Sequence, residues 1–427
     1  MQQKTSSGTT GAYALVTCLF FAWGFITSLV DPLVAAVKGI FHLSDVEAQL
    51  SASAFFIAYA VMSLPAAVLV RRARSVRSVL IALAMMVAGC LIMLVAANIA
   101  VYEIVLLGLF VLASGITVLQ VAANPLAAVL GPPERSHFRL TFSQAFNSLG
   151  TFIGPYLGAL LFLKGVEVKE GSIVSAATKA QSLAGIDRAF FWIAGLIILI
   201  GALIFAGRKL IDAAAPAPQG KNLGIVAAFG EALSSPWALF GGLAIFLYVG
   251  AEVSIGTQMA LFLNSTSVWN VPLETAGKMV SLYWGGAMVG RLIGSALLTR
   301  VPAPRLLAVF TGIACALCLF VFTSGGVPAG YAALSIGLFN SIMFPVIFTI
   351  TLERSTASEE ATSGFLCFSI VGGAAIPPLT GLVSQHTSYV TAFAVPAACY
   401  AVLCAFALAS SRARVRLQDE PAVATIH

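Results

Sequence analysis

Twelve apolar stretches, each long enough to cross a bilayer, leave this chain very little choice of fold. About 20 mostly apolar residues in a helix span the roughly 30 Å hydrocarbon layer. The stretches fall at 12–37, 46–70, 77–98, 101–130, 138–164, 189–210, 237–263, 274–299, 305–324, 328–352, 361–385 and 388–411. Lipid offers no partner to backbone N–H and C=O groups, so each stretch must satisfy its own as a helix. Only 9% of the 427 residues are charged and 59% are hydrophobic, with a mean hydropathy of +0.97, which excludes a soluble globular class. The expected fold class is an all-α membrane protein of twelve transmembrane helices.

The basic residues set the expected orientation. With both termini on the cytoplasmic side, that side receives sixteen of the 23 lysines and arginines and the opposite side six, leaving Arg291 inside a span. The net charge of +6 is thus explained by topology and gives no argument for a nucleic-acid partner. The first apolar run is too long for a signal peptide and contains Asp31, so it is expected to be retained. The reading is a multi-pass protein of the cell membrane, a bacterial inner membrane.

All seven cysteines fall inside apolar spans, so no disulfide framework is implied. Cys315 and Cys318 have CxxC spacing, and the four histidines are scattered, so neither a metal site nor a cofactor is expected. There is no HExxH, no GxSxG and no GxxxxGK[ST] loop, and the chain is not read as an enzyme.

Between the sixth and seventh spans runs RKLIDAAAPAPQGKNLG, a polar, Pro-containing stretch with the composition of a linker. The expected units are an N-terminal half (1–210), a cytoplasmic linker (211–236) and a C-terminal half (237–427). An internal repeat supports the division. A shift of 223 residues places Gly150, Pro155 and Gly158 on Gly373, Pro378 and Gly381, and a shift of 219 places Glu134-Arg135 on Glu353-Arg354. Duplicated six-helix units are how many secondary transporters are built, with the substrate site at midplane between the repeats.

Polar residues at bilayer depth are costly, and these carry the functional reading. Gln120 and Asn124 lie in the fourth span, and Gln144 and Asn147 share one face of the fifth. A buried unpaired amide costs a few kcal/mol, so something polar must meet these groups, and a sugar ring covered in hydroxyls is a suitable partner. Asp31 and Glu252 are carboxylates inside the first and seventh spans, residue types that suit proton handling. Trp23, Tyr283 and Trp284 supply flat apolar faces for the C–H side of a pyranose. The alternatives are plain: amides that bond helix to helix, an acid paired with Arg291, and tryptophans that anchor at the interface. Glu134, Arg135, Glu353 and Arg354 at the cytoplasmic helix ends are read as gating ion pairs, or as topology signals only.

FFAWGFITSLVDPLVAAVKGIF in the first span, LQVAANPLAAVLGPPERSHFRLTFSQAFNSLG across the fourth and fifth, LYVGAEVSIGT in the seventh and YWGGAMVGRLIGSALL in the eighth resemble the fucose/galactose/glucose:proton symporters of the major facilitator superfamily. The resemblance implies the major facilitator fold and a proton-coupling aspartate in the first span, matched by Asp31 eight residues after Trp23. It also implies a sugar-reading polar pair in the fifth span, matched by Gln144 and Asn147. Two positions depart from the fucose pattern: the acidic residue of the fourth span is Gln120 here, and an aromatic of the seventh is Gly256. Both bring the chain closer to the glucose/galactose branch. What this implies is proton-coupled uptake of a hexose by alternating access, by a monomer in a lipid bilayer. Fucose or N-acetylglucosamine are alternative substrates, and a non-transporting sugar receptor or a proton/drug antiporter are alternatives of another class.

Overall fold

The computed structural model describes residues 2–73, 75–130, 136–164, 166, 175–214, 225–298 and 300–413. Helices fill nearly all of them, and eleven of these segments are long and apolar enough by composition to cross a membrane. The remaining span, the eighth at Leu273–Leu298, has the length but carries Arg291 and five glycines, which dilute its hydropathy. The faces turned outward are apolar, with Trp192 of the sixth span 72% exposed, as lipid-facing side chains are.

Proline accompanies the breaks in the first and tenth spans. Pro32 has no N–H for the Ser28 carbonyl four residues earlier, and the first span divides there into Gln2–Ser28 and Val30–Phe41. Pro345 likewise frees the carbonyl of Ser341, where the tenth span divides into Gly326–Asn340 and Met343–Arg354. The freed carbonyl does not stay idle: Arg291 Nε of the eighth span donates to it at 3.4 Å. In the eleventh span Pro378 frees the Ala374 carbonyl, which accepts from Ser53 Oγ of the second span at 2.7 Å. The freed carbonyls of Ser341 and Ala374 therefore become polar contacts with neighbouring helices.

Helix pairing repeats along the chain. In the first six spans the first packs on the fifth, the second on the fourth and the third on the sixth; in the last six the seventh packs on the eleventh, the eighth on the tenth and the ninth on the twelfth. The same three pairs at the same spacing define two six-helix halves. The halves meet where the second span lies along the eleventh and the fifth along the eighth, a relation that is itself repeated. Glycine lets the first pair close: a Cβ on Gly150 would lie 2.5 Å from the Phe21 carbonyl oxygen and 2.6 Å from the Phe25 nitrogen. Gly372 takes the corresponding place against Phe246 in the second half.

Between the halves, Arg208–Ala214 leans on the first span and Ile225–Leu233 packs on Glu359–Phe368 of the eleventh. The latter contact is polar as well as apolar, since Glu231 accepts from the Ser358 N–H at 2.7 Å and from its hydroxyl at 3.0 Å.

Candidate functional site

Asp31 occupies the first turn of Val30–Phe41, directly after the break that Pro32 creates. A helix start leaves N–H groups unbonded and carries partial positive charge, surroundings that favour a carboxylate. The side chain is buried, and Trp284 Nε1 of the eighth span donates to its Oδ2 at 2.6 Å. This bond crosses from one half to the other. Gly256 of the seventh span makes room for it: a Cβ there would stand 3.3 Å from both Asp31 Oδ1 and Trp284 Cζ2.

Glu252 lies one turn before Gly256, on the same face of the seventh span. Its Oε1 accepts from the Tyr248 hydroxyl at 2.7 Å, and its backbone carbonyl from the Tyr283 hydroxyl at 3.2 Å. Tyr283 in turn accepts from Asn340 Nδ2 at 2.7 Å, and Asn340 Oδ1 accepts from the Tyr400 hydroxyl at 2.7 Å. Tyr248 also reaches the Asn340 carbonyl at 3.1 Å. Four spans of the C-terminal half are thus tied through Asn340, the last residue before the break in the tenth. Tyr283 is fully buried with its hydroxyl engaged on both sides, and its ring meets Trp284 edge-on at 5.1 Å. In this conformation it positions its neighbours and presents no face to solvent.

The N-terminal half contributes amides. Gln120 Nε2 donates to the Tyr59 hydroxyl at 2.9 Å, and the Tyr59 ring stacks on Phe56 at 5.8 Å. Asn147 Nδ2 donates to the Phe20 carbonyl at 3.2 Å. Asn124 Oδ1 is buried with no hydrogen-bond partner. Trp23 is covered, its ring 4.2 Å from that of Phe20. By contrast Gln120, Gln144, Asn147, Glu252 and Trp284 are only half-buried although they sit mid-span.

A second polar cluster joins the halves at the face of the bundle opposite the chain termini. Asp45, at the start of the second span, pairs with Lys38 and accepts from the Tyr389 hydroxyl at 2.7 Å and from Ser384 Oγ at 2.8 Å. Lys38 also donates to Tyr389. One layer deeper, Thr257 donates to Gln49 Oε1 at 2.9 Å and Gln258 to Ser384 at 3.4 Å. Sequence reading missed this cluster, because its members are spread over 350 positions.

The expected gate at the other face looks different. Arg354 meets Glu353 Oε2 at 3.0 Å, donates to the Ser410 carbonyl at 3.1 Å and lies 5.9 Å from the Trp237 ring, all inside the C-terminal half. These contacts brace the tenth span against the seventh and twelfth and do not bridge the halves. Glu134 and Arg135 lie outside the described residues. Among the described residues no three His, Cys, Asp or Glu side chains gather as metal ligands, and the cysteines are free.

Two six-helix halves with the same helix pairing, facing each other across a buried and a half-buried carboxylate and half-open amides, define a polytopic α-helical membrane protein of the kind that works by moving one half against the other. Residues 15–369 match the family model described as Major Facilitator Superfamily, and the chain belongs to that superfamily. It is 39% identical over 418 residues to a glucose/galactose transporter of Brucella abortus, an alignment covering 96% of this chain and 97% of that protein. It is 30% identical to the L-fucose-proton symporter of Escherichia coli, with 92% of each covered. A crystal structure of the E. coli fucose:proton symporter, FucP, superposes with a TM-score of 0.69 at 27% identity, covering 94% of this chain and 98% of that one.

Proposed function

We propose that this protein takes up a monosaccharide of the glucose/galactose type together with a proton, by alternating access. The observation that carries the reading is the bond from Trp284 to Asp31 across the two halves, within a cleft whose amides are half-open at bilayer depth. Asp31 and Glu252 carry the proton-linked charge; Gln120, Gln144, Asn147, Glu252 and Trp284 meet sugar hydroxyls and ring faces; Trp23 and Tyr283 shape the cleft from behind. The names of the relatives support the substrate class, and the bias of basic residues supports cytoplasmic termini in a bacterial inner membrane.

The division into 1–210, a linker at 211–236 and 237–427 is part of the same proposal, with Ile225–Leu233 moving with the C-terminal half because it packs there. Nothing in the site requires a second chain, so the monomer is the working unit. A proton crossing about 100 mV supplies about 2.3 kcal/mol, enough for roughly 40-fold accumulation at about 1.4 kcal/mol per decade.

The test is uptake of labelled glucose, galactose, fucose and N-acetylglucosamine into proteoliposomes, with and without an imposed pH gradient. Accumulation of glucose or galactose that follows the gradient, and is lost in Asp31→Asn, is the expected result. Uptake that ignores the gradient removes the proton, and a preference for fucose removes the glucose/galactose assignment.

A further inference from the structure

The bond between Asp31 and Trp284 has a polarity that gives it a second role. The indole N–H is only a donor, so Trp284 can bond to Asp31 only through a carboxyl oxygen with a free lone pair. A charged carboxylate is much the stronger acceptor, since hydrogen bonds to ionised groups are about twice as strong as neutral ones. Trp284 is not free to follow its partner. Its ring rests against Tyr283, which Asn340 and the Glu252 backbone hold at 2.7 Å and 3.2 Å. Asn340 is held by Tyr400 in turn. The indole is therefore fixed in the C-terminal half, and Asp31 is fixed at the break of the N-terminal half. Gly256 leaves the space beside both of them clear.

We infer that Trp284 is the positioning residue through which the C-terminal half senses whether Asp31 carries a proton, holding the two halves together at this level only while the carboxylate is charged. This rests on the proton-coupled reading above and adds to it the group that transmits the proton's arrival. When Asp31 binds a proton the tie weakens, and the halves separate along the line between the first and eighth spans. The titratable groups facing Asp31 are Glu252 from the seventh span and Tyr283 from the eighth. Arg291 of the eighth span acts on Glu252. Along its own helix and the second span, the next charges are Lys38 and Asp45, which pair with each other. Lys179 of the sixth span lies over the Phe41 ring at the far end of that helix.

The inference is tested on the full-length protein in detergent, without sugar, by titrating intrinsic tryptophan fluorescence with pH. The five tryptophans are separated by comparing the wild type with Trp284→Phe, Asp31→Asn and Gly256→Ala. The expected result is a single fluorescence step in the wild type that disappears in both Trp284→Phe and Asp31→Asn. Gly256→Ala, which sets a methyl group tightly against both partners, is expected to shift the step by half a pH unit or more. In proteoliposomes Trp284→Phe is expected to flatten the pH dependence of uptake. A step that persists in Trp284→Phe, no step in the wild type, or an unaltered transport pH profile in Trp284→Phe overturns the inference. The fluorescence readout needs no substrate, so a wild type that shows the step but accumulates no sugar refutes the proposed function and leaves the Asp31–Trp284 switch standing.

Discussion

Asp45 and Tyr389 stand 344 residues apart in the chain and 2.7 Å apart in space, joining the start of the second span to the turn between the eleventh and twelfth. With Lys38 and Ser384 on the same carboxylate, this contact holds the two halves together at the face opposite the termini. Alternating access requires such a contact to break in every cycle.

Asp45→Asn is therefore expected to loosen that face. Bonds to a charged group contribute about 1.5–3 kcal/mol each, and losing about 1.4 kcal/mol changes the open-to-closed ratio roughly tenfold. The measurement is the alkylation rate of Thr257→Cys, buried behind the cluster, in protein whose native cysteines are serine. A tenfold faster rate in Asp45→Asn is the expected outcome. An unchanged rate says that the cluster braces the fold without gating it.

Asn340 supports the site from behind. It is fully buried and completes the hydroxyls of both Tyr283 and Tyr400. Asn340→Ala strands the buried Tyr400 hydroxyl, at about 1–3 kcal/mol, and leaves Tyr283 only its bond to the Glu252 carbonyl. The thermal unfolding midpoint in detergent should fall by several degrees. Adding Tyr400→Phe removes the stranded group, so the double variant should lose less than the sum of the two single losses. Strict additivity would mean that Asn340 and Tyr400 do not act on each other.

The helical architecture was legible because lipid imposes it: span length, basic bias and proline position are local properties, and the break at Pro32 follows from one missing N–H. Asp31 was legible for the same reason, since a carboxylate at that depth has few structural explanations. What sequence could not show is which distant side chain completes each group. Trp284 reads as a flat face for a sugar ring, or as an interfacial anchor, until the fold sets its N–H against Asp31, 253 residues away. Nothing in the sequence singles out Tyr248 and Tyr400, because a tyrosine's hydroxyl partner leaves no mark on its own neighbourhood. The charge motif repeated at Glu353-Arg354 is read as a gate; among the described residues Arg354 meets Glu353 and the Ser410 carbonyl inside one half, and Glu134-Arg135 lie outside those residues. A repeated motif reports duplication of a unit and says nothing of whether the unit's charges point outward.

Gln120 replaces an acid of the fucose pattern, and its partner clarifies what restoring the acid does. Gln120 Nε2 now donates to Tyr59. In Gln120→Glu the direction reverses, with the Tyr59 hydroxyl donating to the carboxylate, so the local geometry survives while a titratable group is added. Relative uptake of fucose against glucose should rise severalfold and the pH profile should change. In Tyr59→Phe, which leaves the Gln120 amide unbonded, the sugar order should change without any new pH dependence. If neither variant alters the sugar order, Gln120 serves helix packing.

Asn147 divides its amide between fold and cleft. Its Nδ2 bonds the Phe20 carbonyl at 3.2 Å, and Gly24 leaves the space it fills, since a Cβ there would overlap the Asn147 amide. The side chain is half-buried, which leaves its carbonyl oxygen as the group to accept a sugar hydroxyl. Asn147→Ala then loses both a helix-to-helix bond and a ligand bond, each worth about 0.5–1.5 kcal/mol. Only the ligand bond depends on the substrate. Apparent affinity for the transported hexose should fall roughly 3- to 10-fold, whereas the deoxy-sugar lacking the contacted hydroxyl should bind wild type and variant almost equally, closing a double-perturbation cycle. Asn147→Asp separates the two contributions: it keeps the oxygen acceptor but repels the Phe20 carbonyl, so protein stability should fall while discrimination between the hexose and its deoxy analogue persists. If all sugars in the series lose the same factor in Asn147→Ala, the amide holds the first and fifth spans together and does not touch the substrate.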